Sequence, residues 1–258
     1  MRGRLRFAIP TGEKPVVATH GPGGRLRSYE GQFEAIEVPI EDARGASTSL
    51  DREGFVLATG RRPLGSLEAA AARVDEDHAE VAAWLADRCG AAEVAVFDRT
   101  TRSGDEAERD AGALREPVSI AHNDFTDWSG PDRLRHHLGD AAPRWLAGRF
   151  AVIQVWRPVE PILSDPLALC EASSVRPEDL IVTERRHVDR VGEIHQLRHH
   201  PDQRWRWFSA MQPSEAIVFK VYDSLDDGRA RFTPHASFAL PLPGPPRRSV
   251  ELRCFARF

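Results

Sequence analysis

The sequence has few cysteines and no long apolar run, and each shortage excludes a class of protein. Its 258 residues include 3 cysteines, which are Cys89, Cys170 and Cys254. They are too few and too scattered for a disulfide framework or a zinc cluster, as is typical of a reducing compartment. No apolar run approaches the roughly 18 residues that a transmembrane helix needs, and the residues after Met1 lack the pattern of a signal peptide. We therefore expect a cytoplasmic protein without a membrane partner.

An excess of charge of one sign is also lacking. Lysine and arginine total 35 against 39 aspartate and glutamate residues, so the formal net charge is −4. This near balance gives no reason to expect nucleic acid as a partner, and a small molecule is the expected ligand. The hydrophobic fraction of 41% and the chain length suit a globular protein with a large core. We expect one domain over residues 1–258, in which a partly helical, irregular part (1–115) packs on a core (116–258).

The N-terminal part carries little recognisable chemistry. Residues 1–60 predict irregular structure, interrupted by a strand at 32–40 and a glycine-rich turn at 21–24. That turn lacks the Gly-x-Gly-x-x-Gly spacing of a nucleotide-binding loop, which also argues against a methyltransferase. An apolar stripe at helical spacing predicts a helix over 66–88, capped by a serine and followed by glycine. The polar stretch 100–115 predicts an exposed loop.

Residues 116–258 predict a series of short strands. Runs rich in β-branched and aromatic residues lie at 149–156, 194–197, 205–208, 216–222 and 247–258. The spacing between these runs is typical of β-hairpins rather than of βαβ units. We expect a mainly β fold with some α-helix, in which a β-sandwich or jelly-roll core carries an N-terminal helical layer.

His122 and Asp124 are the first candidates for chemistry. They lie in a strand-like run at 118–125, where positions i and i+2 face the same side while Asn123 turns away. An imidazole and a carboxylate supply two ligands of a 2-His-1-carboxylate site, which binds Fe(II) and leaves coordination positions open. His235, far along the chain among aromatic and small residues, is the candidate third ligand. The alternatives are a chance His-x-Asp tripeptide and a histidine satisfied within the core.

The last predicted strand offers a site for a carboxylate. Arg247 and Ser249 share one face of this strand, and a guanidinium with a neighbouring hydroxyl binds a carboxylate well. The alternative is an edge strand whose charges are solvated. A metal with open positions and a carboxylate anchor together predict a metal site that takes a dicarboxylic cosubstrate.

Several blocks of the chain resemble one family of enzymes over residues 94–258. The blocks are HNDFT at 122–126, VWRP at 155–158, DPLALC at 165–170, PHASF at 234–238 and PRRSVELR at 246–253. They resemble the group of non-haem iron oxygenases that includes the cephamycin 7α-methoxylation component, the gibberellin desaturase and the fungal endoperoxide-forming oxygenase.

The resemblance implies an Fe(II)- and 2-oxoglutarate-dependent oxygenase with a double-stranded β-helix (jelly-roll) core. Its cofactors would be Fe(II), 2-oxoglutarate as cosubstrate and O2. On the same basis, the expected iron ligands are His122, Asp124 and His235. Arg247 with Ser249 would hold the distal carboxylate of 2-oxoglutarate, and Arg253 would be the second choice. The implied reaction is hydroxylation, desaturation or cyclisation of a small metabolite in secondary-metabolite biosynthesis.

Four further residues are expected to line the substrate pocket, namely Trp156, Arg157, Lys220 and Tyr222, with Asp223 beside them. If Arg157 and Lys220 face inward, the substrate carries a carboxylate. For Trp156 and Tyr222, the alternative to lining the pocket is packing in the hydrophobic core.

Two positions depart from the family pattern, and two other functions stay open. Gln154 stands where the family more often has Asn, and Arg248 where it often has Glu; neither is expected to touch the three iron ligands. A non-redox metalloenzyme on a jelly roll would need those ligands but not Arg247. A metal-free accessory or binding subunit of a biosynthetic methyltransferase would need neither.

Overall fold

The computed structural model describes residues 1–20, 26–112, 114–188 and 190–258, so the predicted turn at 21–24 lies outside the described residues. The strands are β1 (Arg2–Ile9), β2 (Val16–His20), β3 (Leu26–Glu30), β4 (Gln32–Asp42), β5 (Phe55–Ala58), β6 (Glu93–Ser103), β7 (His122–Asn123), β8 (Phe150–Pro158), β9 (Leu167–Cys170), β10 (Leu180–Arg186), β11 (Val191–Leu197), β12 (Trp205–Trp207), β13 (Ala216–Asp223), β14 (His235–Ser237) and β15 (Arg248–Arg257). The helices are α1 (Leu67–Ala72), α2 (Val74–Cys89), α3 (Glu106–Ala111), α4 (Ser129–Leu138) and α5 (Ala142–Leu146).

The strands form two sheets that share a core. The larger sheet has the order β1-β4-β12-β9-β14-β7-β11-β10-β2-β3, and the smaller sheet has the order β5-β13-β8-β15-β6. Most neighbouring strands are antiparallel, with parallel pairing of β4 with β12 and of β2 with β10. Leu169 of the larger sheet packs in one buried cluster with Trp156 and Phe219 of the smaller sheet. The predicted mainly β jelly roll with added helices is confirmed.

The two sides of the smaller sheet have different neighbours. Trp156 of β8 belongs to the cluster between the sheets, whereas Val155 belongs to a second cluster formed with α1 and α2. Because side chains alternate along a strand, Gln154 shares the inner face with Trp156. Arg157 lies with Val155 on the helix side.

The predicted N-terminal helical layer covers the helix side of the smaller sheet. Ala70, Val81 and Leu85 pack there against residues of β8, β13 and β15. The hydroxyl of Ser66 accepts a hydrogen bond from the Ala69 amide at 3.1 Å, as expected for the helix cap. The helix is divided at Arg73 into α1 and α2. Within the described ranges no helix is both long enough and apolar enough to cross a bilayer.

The prediction of irregular structure over residues 1–60 is wrong, because this stretch supplies β1 to β5. In β1, Leu5 and Phe7 are fully buried while Arg4 and Arg6 are exposed. That alternation is the signature of a half-buried strand, and it was present in the sequence. Pairing with β4 from Arg2 to Ile9 then extends the larger sheet.

The prediction of an exposed loop over 100–115 is also wrong. Strand β6 continues to Ser103, because its residues pair with β15 as far as Arg248 opposite Ser103. Helix α3 follows, and its cap Asp105 accepts a hydrogen bond from the Glu108 amide at 3.1 Å. Pairing with a distant strand overrides the polar composition of this segment.

Candidate metal centre

The fold brings His122, Asp124 and His235 together in one buried cluster. His122 in β7 lies directly opposite His235 in β14, so the pairing of two short strands sets their separation. The ring centroids of these histidines are 4.5 Å apart. One ligand atom from each of the three residues lies within 4.8 Å of the others, and all three side chains are nearly inaccessible to solvent.

Backbone carbonyls fix the orientation of both imidazoles. Nδ1 of His122 is 2.7 Å from the Ile120 carbonyl, and Nδ1 of His235 is 3.1 Å from the Thr233 carbonyl. A ring that donates from Nδ1 keeps the lone pair of Nε2 for a metal. Burial also lowers the pKa of His235 below the ordinary value for histidine, which favours the neutral, ligating form.

Asp124 has one oxygen tied to the protein and the other turned toward the histidines. Its Oδ2 accepts hydrogen bonds from Gln154 Nε2 at 2.6 Å and from Arg253 Nε at 2.8 Å. Its Oδ1 is 3.6 Å from Nε2 of His122. Burial alone would raise the pKa of Asp124, but the charges of Arg253, the two histidines and Arg185 lower it well below its ordinary value. The carboxylate is therefore ionised and oriented.

Two sequence expectations change here. Gln154 was not expected to touch the metal ligands, and that is wrong, because it is a direct hydrogen-bond donor to Asp124. Arg253 is not placed as a cosubstrate anchor: besides Asp124, its guanidinium contacts Asp98 and Glu251. Both residues lie on the inner face of the smaller sheet, where β8 and β15 pair with Gln154 opposite Arg253.

Asn123 turns away from the cluster, as expected, and links it to the rest of the fold. Its side chain donates to the carbonyls of Phe125 at 2.8 Å and Val221 at 2.9 Å. Its Oδ1 accepts from the Thr233 amide at 3.1 Å, and the carbonyl of Thr233 orients His235. One amide therefore ties the strand of the first histidine to the loop that holds the second.

The Gln154→Leu variant is expected to bind Fe(II) about tenfold to a hundredfold more weakly, because loss of a partner that orients a ligand typically has this effect. The variant should remain folded, since leucine suits a buried inner-face position. The measurement is anaerobic calorimetry with Fe(II). Gln203→Leu removes a buried glutamine that donates to the Arg198 carbonyl instead, and it should leave iron affinity unchanged. Equal iron affinity in the two variants would contradict the role of Gln154.

Arg247 lies beside the cluster as a buried cation with unused hydrogen-bonding capacity. A narrow cavity is lined by His122, His235, Trp156 and Arg247. Arg247 Nη1 donates to the Asp165 carbonyl at 2.6 Å, but its Nε is buried without a hydrogen-bond partner among the described residues. The Ser249 hydroxyl is likewise buried and unpaired with any residue that the structure describes. Two buried donors without partners, next to the clustered His122 and His235, fit the binding of a carboxylate.

The electrostatics around Arg247 support the same assignment. Burial, together with the positive charge of Arg102, lowers the pKa of Arg247 to about 9. Asp165 and Glu251 act against this shift, and an ionised carboxylate at the cavity would stabilise the charged form of Arg247 further. The sequence interpretation missed Arg102, Ser237 and Glu251 at this cavity. Ser237 could have been predicted from the sequence, because it follows His235 by two positions on one strand and therefore faces the same side.

Arg157 and Lys220 are not placed at the metal centre, which corrects the expectation for both. They lie on the helix side of the smaller sheet, where Arg157 pairs with Asp77 of α2 and donates to the Arg62 carbonyl. Lys220 donates to Asp51 at 2.7 Å and to Asp223 at 2.8 Å. Strand alternation explains the outcome, because adjacent residues such as Trp156 and Arg157 cannot face the same pocket.

The structure assigns Arg157 a part in stability. The Arg157→Met variant is expected to lose about 3–5 kcal/mol of unfolding free energy, because the buried carboxylate of Asp77 loses its partner. Urea unfolding measures this loss. The double variant Arg157→Met with Asp77→Leu should recover part of it, since no uncompensated charge remains. Unchanged stability in Arg157→Met would contradict this account.

The aromatic candidates divide between the site and the core. Trp156 lines the narrow cavity, and the Arg247 guanidinium lies 5.5 Å from its ring. Tyr222 packs on Phe150 with ring centroids 5.2 Å apart, and a Cβ added to Gly130 would lie 2.8 Å from its ring. Trp156 therefore lies at the narrow cavity, while Tyr222 packs against Phe150 and α4.

The chain is similar to known oxygenases along nearly its whole length. A family model described as "Oxidoreductase/YMDC permease-like domain" matches residues 5–257. "Hydroxylase/desaturase CTB9" of Cercospora beticola is 31% identical, with 90% of this chain and 80% of that protein covered. The "Fe(II)/2-oxoglutarate-dependent dioxygenase nvfI" of Aspergillus novofumigatus is 30% identical, with 71% of this chain and 67% of that protein covered.

A solved structure agrees with these sequence matches. The "iron and alpha-ketoglutarate-dependent endoperoxidase NvfI" superposes with a TM-score of 0.82 at 25% identity, covering 100% of this chain and 97% of that chain. The predictions of fold, enzyme class and cofactors are confirmed. The chain therefore belongs to the family of Fe(II)- and 2-oxoglutarate-dependent oxygenases, enzymes that use Fe(II), 2-oxoglutarate and O2 to oxidise a small molecule.

Proposed function

We propose that His122, Asp124 and His235 hold Fe(II), and that Arg247 with Ser249 holds the distal carboxylate of 2-oxoglutarate. The observation that carries this proposal is the convergence of three buried side chains, with one potential ligand atom each within 4.8 Å, beside an arginine whose Nε has no hydrogen-bond partner among the described residues. Two imidazoles and one carboxylate are the donor set of non-haem Fe(II) oxygenases.

The protein prepares each ligand before a metal binds. The carbonyls of Ile120 and Thr233 keep the imidazole protons on Nδ1, while Gln154 and Arg253 hold Oδ2 of Asp124. Such outer partners reduce the reorganisation that metal binding requires. Trp156 and the buried surroundings limit access of water to the cosubstrate side.

Bound Fe(II) would supply O2 activation coupled to the oxidative decarboxylation of 2-oxoglutarate. Arg247 and Ser249 would orient the cosubstrate from the narrow cavity. The substrate would reach the site through the open cleft that extends to Asp124. We propose hydroxylation, desaturation or cyclisation of a small metabolite in a biosynthetic pathway, which is supported by the names of the relatives.

We further propose that residues 1–258 act as one domain in the cytoplasm, without nucleic acid as a partner. The clusters shared by the two sheets and by the N-terminal helices support the single domain. The three cysteines are free thiols, which suits a reducing compartment. The net charge of −4 offers nucleic acid no general attraction.

An anaerobic visible-light titration tests the proposed function. The apoprotein receives Fe(II) and then 2-oxoglutarate, and a weak charge-transfer band should appear only when both are bound. Iron binding without a band on addition of 2-oxoglutarate would favour a non-redox metalloenzyme. Absence of stoichiometric iron binding would favour a metal-free binding or accessory protein, and either result would overturn the proposal.

A further inference from the structure

The short segment that leads into His235 has little conformational freedom. Pro234 lacks a backbone N–H, and a residue that precedes proline is largely restricted to extended conformations, which applies here to Thr233. The Pro234 carbonyl accepts a hydrogen bond from the Cys170 amide at 2.7 Å. His235 then pairs with β9 and β7 in the larger sheet. The direction of the His235 ring therefore depends on where Thr233 is placed, because the Thr233 carbonyl is the partner of Nδ1.

Thr233 is fully buried, and each of its polar groups has a partner. Its amide donates to Oδ1 of Asn123 at 3.1 Å, and its hydroxyl donates to the Gly54 carbonyl at 3.2 Å. Its carbonyl is 3.1 Å from Nδ1 of His235. One residue thus links the strand of the first histidine, the imidazole of the second, and the turn before β5.

The turn before β5 is shaped to receive Thr233. Gly54 has a φ of +92°, a backbone conformation that favours glycine, and a Cβ added there would collide with Oγ1 of Thr233. The Gly54 carbonyl also accepts from the Lys220 amide at 2.8 Å. The Asp51 carbonyl accepts from the Ala230 amide at 2.7 Å. The turn is therefore fixed both to β13 and to the loop that leads to Thr233.

The contact between Thr233 and His235 decides which ring nitrogen keeps a lone pair. A neutral imidazole has one donor nitrogen and one acceptor nitrogen. A carbonyl beside Nδ1 favours a proton on that nitrogen, so Nε2 keeps the lone pair with which a metal binds. A displaced carbonyl would remove this preference and the orientation of the ring with it. Metal affinity is therefore sensitive to the position of Thr233.

We propose that Thr233 is a positioning residue of the metal centre and that Gly54, from the N-terminal part of the chain, holds it in place. Thr233 sets the tautomer and the direction of the His235 ring, and Asn123 fixes Thr233 relative to the strand of His122. The inference rests on the proposed function in taking His235 as a metal ligand. It gives the turn before β5 a part in metal binding.

Thr233→Val removes the hydroxyl with almost no change of volume, so the carbonyl of residue 233 is held less firmly. Anaerobic calorimetry should show an Fe(II) affinity about tenfold lower, the lower end of the effect that loss of an orienting partner typically has. Long-range ¹H–¹⁵N NMR of the apoprotein should show the proton of His235 on Nδ1 in the original chain and a mixture of tautomers in the variant. Thr233→Ser retains the hydroxyl and should restore both properties.

Thr19→Val is the matched control, because Thr19 is also buried and its hydroxyl donates to a backbone carbonyl, that of Arg186, at 3.2 Å. It should change neither iron affinity nor the His235 tautomer, since it leaves Thr233 in place. Gly54→Ala should have a larger effect than Thr233→Val, because the added methyl group displaces Thr233. Urea unfolding gives the stability of each variant. If Gly54→Ala does not fold, the variants at Thr233 decide the question.

An unchanged His235 tautomer in a folded Thr233→Val variant would overturn the inference, and so would an equal loss of iron affinity in Thr19→Val. These failures are distinguishable from failure of the proposed function, because the tautomer is measured without metal. A chain that binds no Fe(II) but shows the expected change of tautomer would refute the proposed function while supporting the positioning of His235 by Thr233. Normal iron binding with an unchanged tautomer would refute the positioning role alone.

Discussion

The Asp124→Ala variant is expected to lose stoichiometric Fe(II) binding and 2-oxoglutarate turnover. Loss of an outer partner alone typically weakens metal binding about 10- to 100-fold, so loss of a ligand should exceed that range. Only two imidazoles would remain, and they carry no negative charge to balance Fe(II). Anaerobic calorimetry with Fe(II) measures the affinity, and succinate formation measures turnover.

The structure also predicts that this variant stays folded. Arg253 retains contacts with Asp98 and Glu251 after Asp124 is removed, so no isolated cation is left in the core. Asp202→Ala is the matched control, because the Asp202 side chain is 81% exposed and lies in a loop. The control should bind iron normally. Undiminished iron affinity in a folded Asp124→Ala variant would exclude Asp124 as a ligand.

The Arg247→Met variant is expected to separate cosubstrate binding from metal binding. Hydrogen bonds to charged groups contribute about 1.5–3 kcal/mol, which corresponds to about a tenfold to hundredfold loss of affinity for 2-oxoglutarate. Fe(II) affinity should be unchanged, because Arg247 contacts neither Asp124 nor the Nδ1 partners of the histidines. The charge-transfer band, followed against 2-oxoglutarate concentration, gives the dissociation constant.

The unfolding free energy of Arg247→Met distinguishes a role of Arg247 in cosubstrate binding from a role in stabilising the fold. A buried charge without a carboxylate partner is costly, so methionine at position 247 should leave the unfolding free energy of the apoprotein within about 1 kcal/mol of the original. Arg248→Met is the matched control: Arg248 pairs with Glu108 at 2.6 Å and Glu160 at 2.9 Å, away from the cavity. It should bind 2-oxoglutarate normally. Equal 2-oxoglutarate affinity in both variants would refute the anchor.

Local patterns were sufficient to select the residues that the structure brings together, namely His122, Asp124 and His235, with Arg247 beside them. The i, i+2 spacing of His122 and Asp124 places both side chains on one side whatever the rest of the fold does. The same rule turned Asn123 away and put Ser249, Glu251 and Arg253 on one face of β15. The capped helix after Ser66 was equally local, because its cap and apolar stripe lie within one stretch of sequence.

The same periodicity, applied consistently, would have prevented two errors. Trp156 and Arg157 are adjacent in a strand and must face opposite sides, so both could not line one pocket. The alternation of charged and apolar residues at Arg4, Leu5, Arg6 and Phe7 also predicts the half-buried strand β1. These were errors of interpretation, and the sequence contained the information needed to avoid them.

Other features depend on contacts between distant segments. The hydrogen bond from Gln154 to Asp124 joins residues 30 positions apart, and Arg253 reaches the same carboxylate from 129 positions away. The pairing of β6 with β15 made a strand of a polar segment that by itself resembles a loop. No local rule specifies such partners, because they are selected by the packing of one sheet on the other.

By itself, the sequence determined the residue types of the proposed metal site, the faces on which they lie and the family of enzymes to which the chain belongs. Only the tertiary structure decided which distant side chains orient His122, Asp124 and His235, and that Arg157 and Lys220 form ion pairs outside the proposed site. The physical reason is that side-chain direction follows from local backbone geometry. Electrostatic partners and cavity walls instead depend on which segments the two sheets bring within a few ångströms of each other.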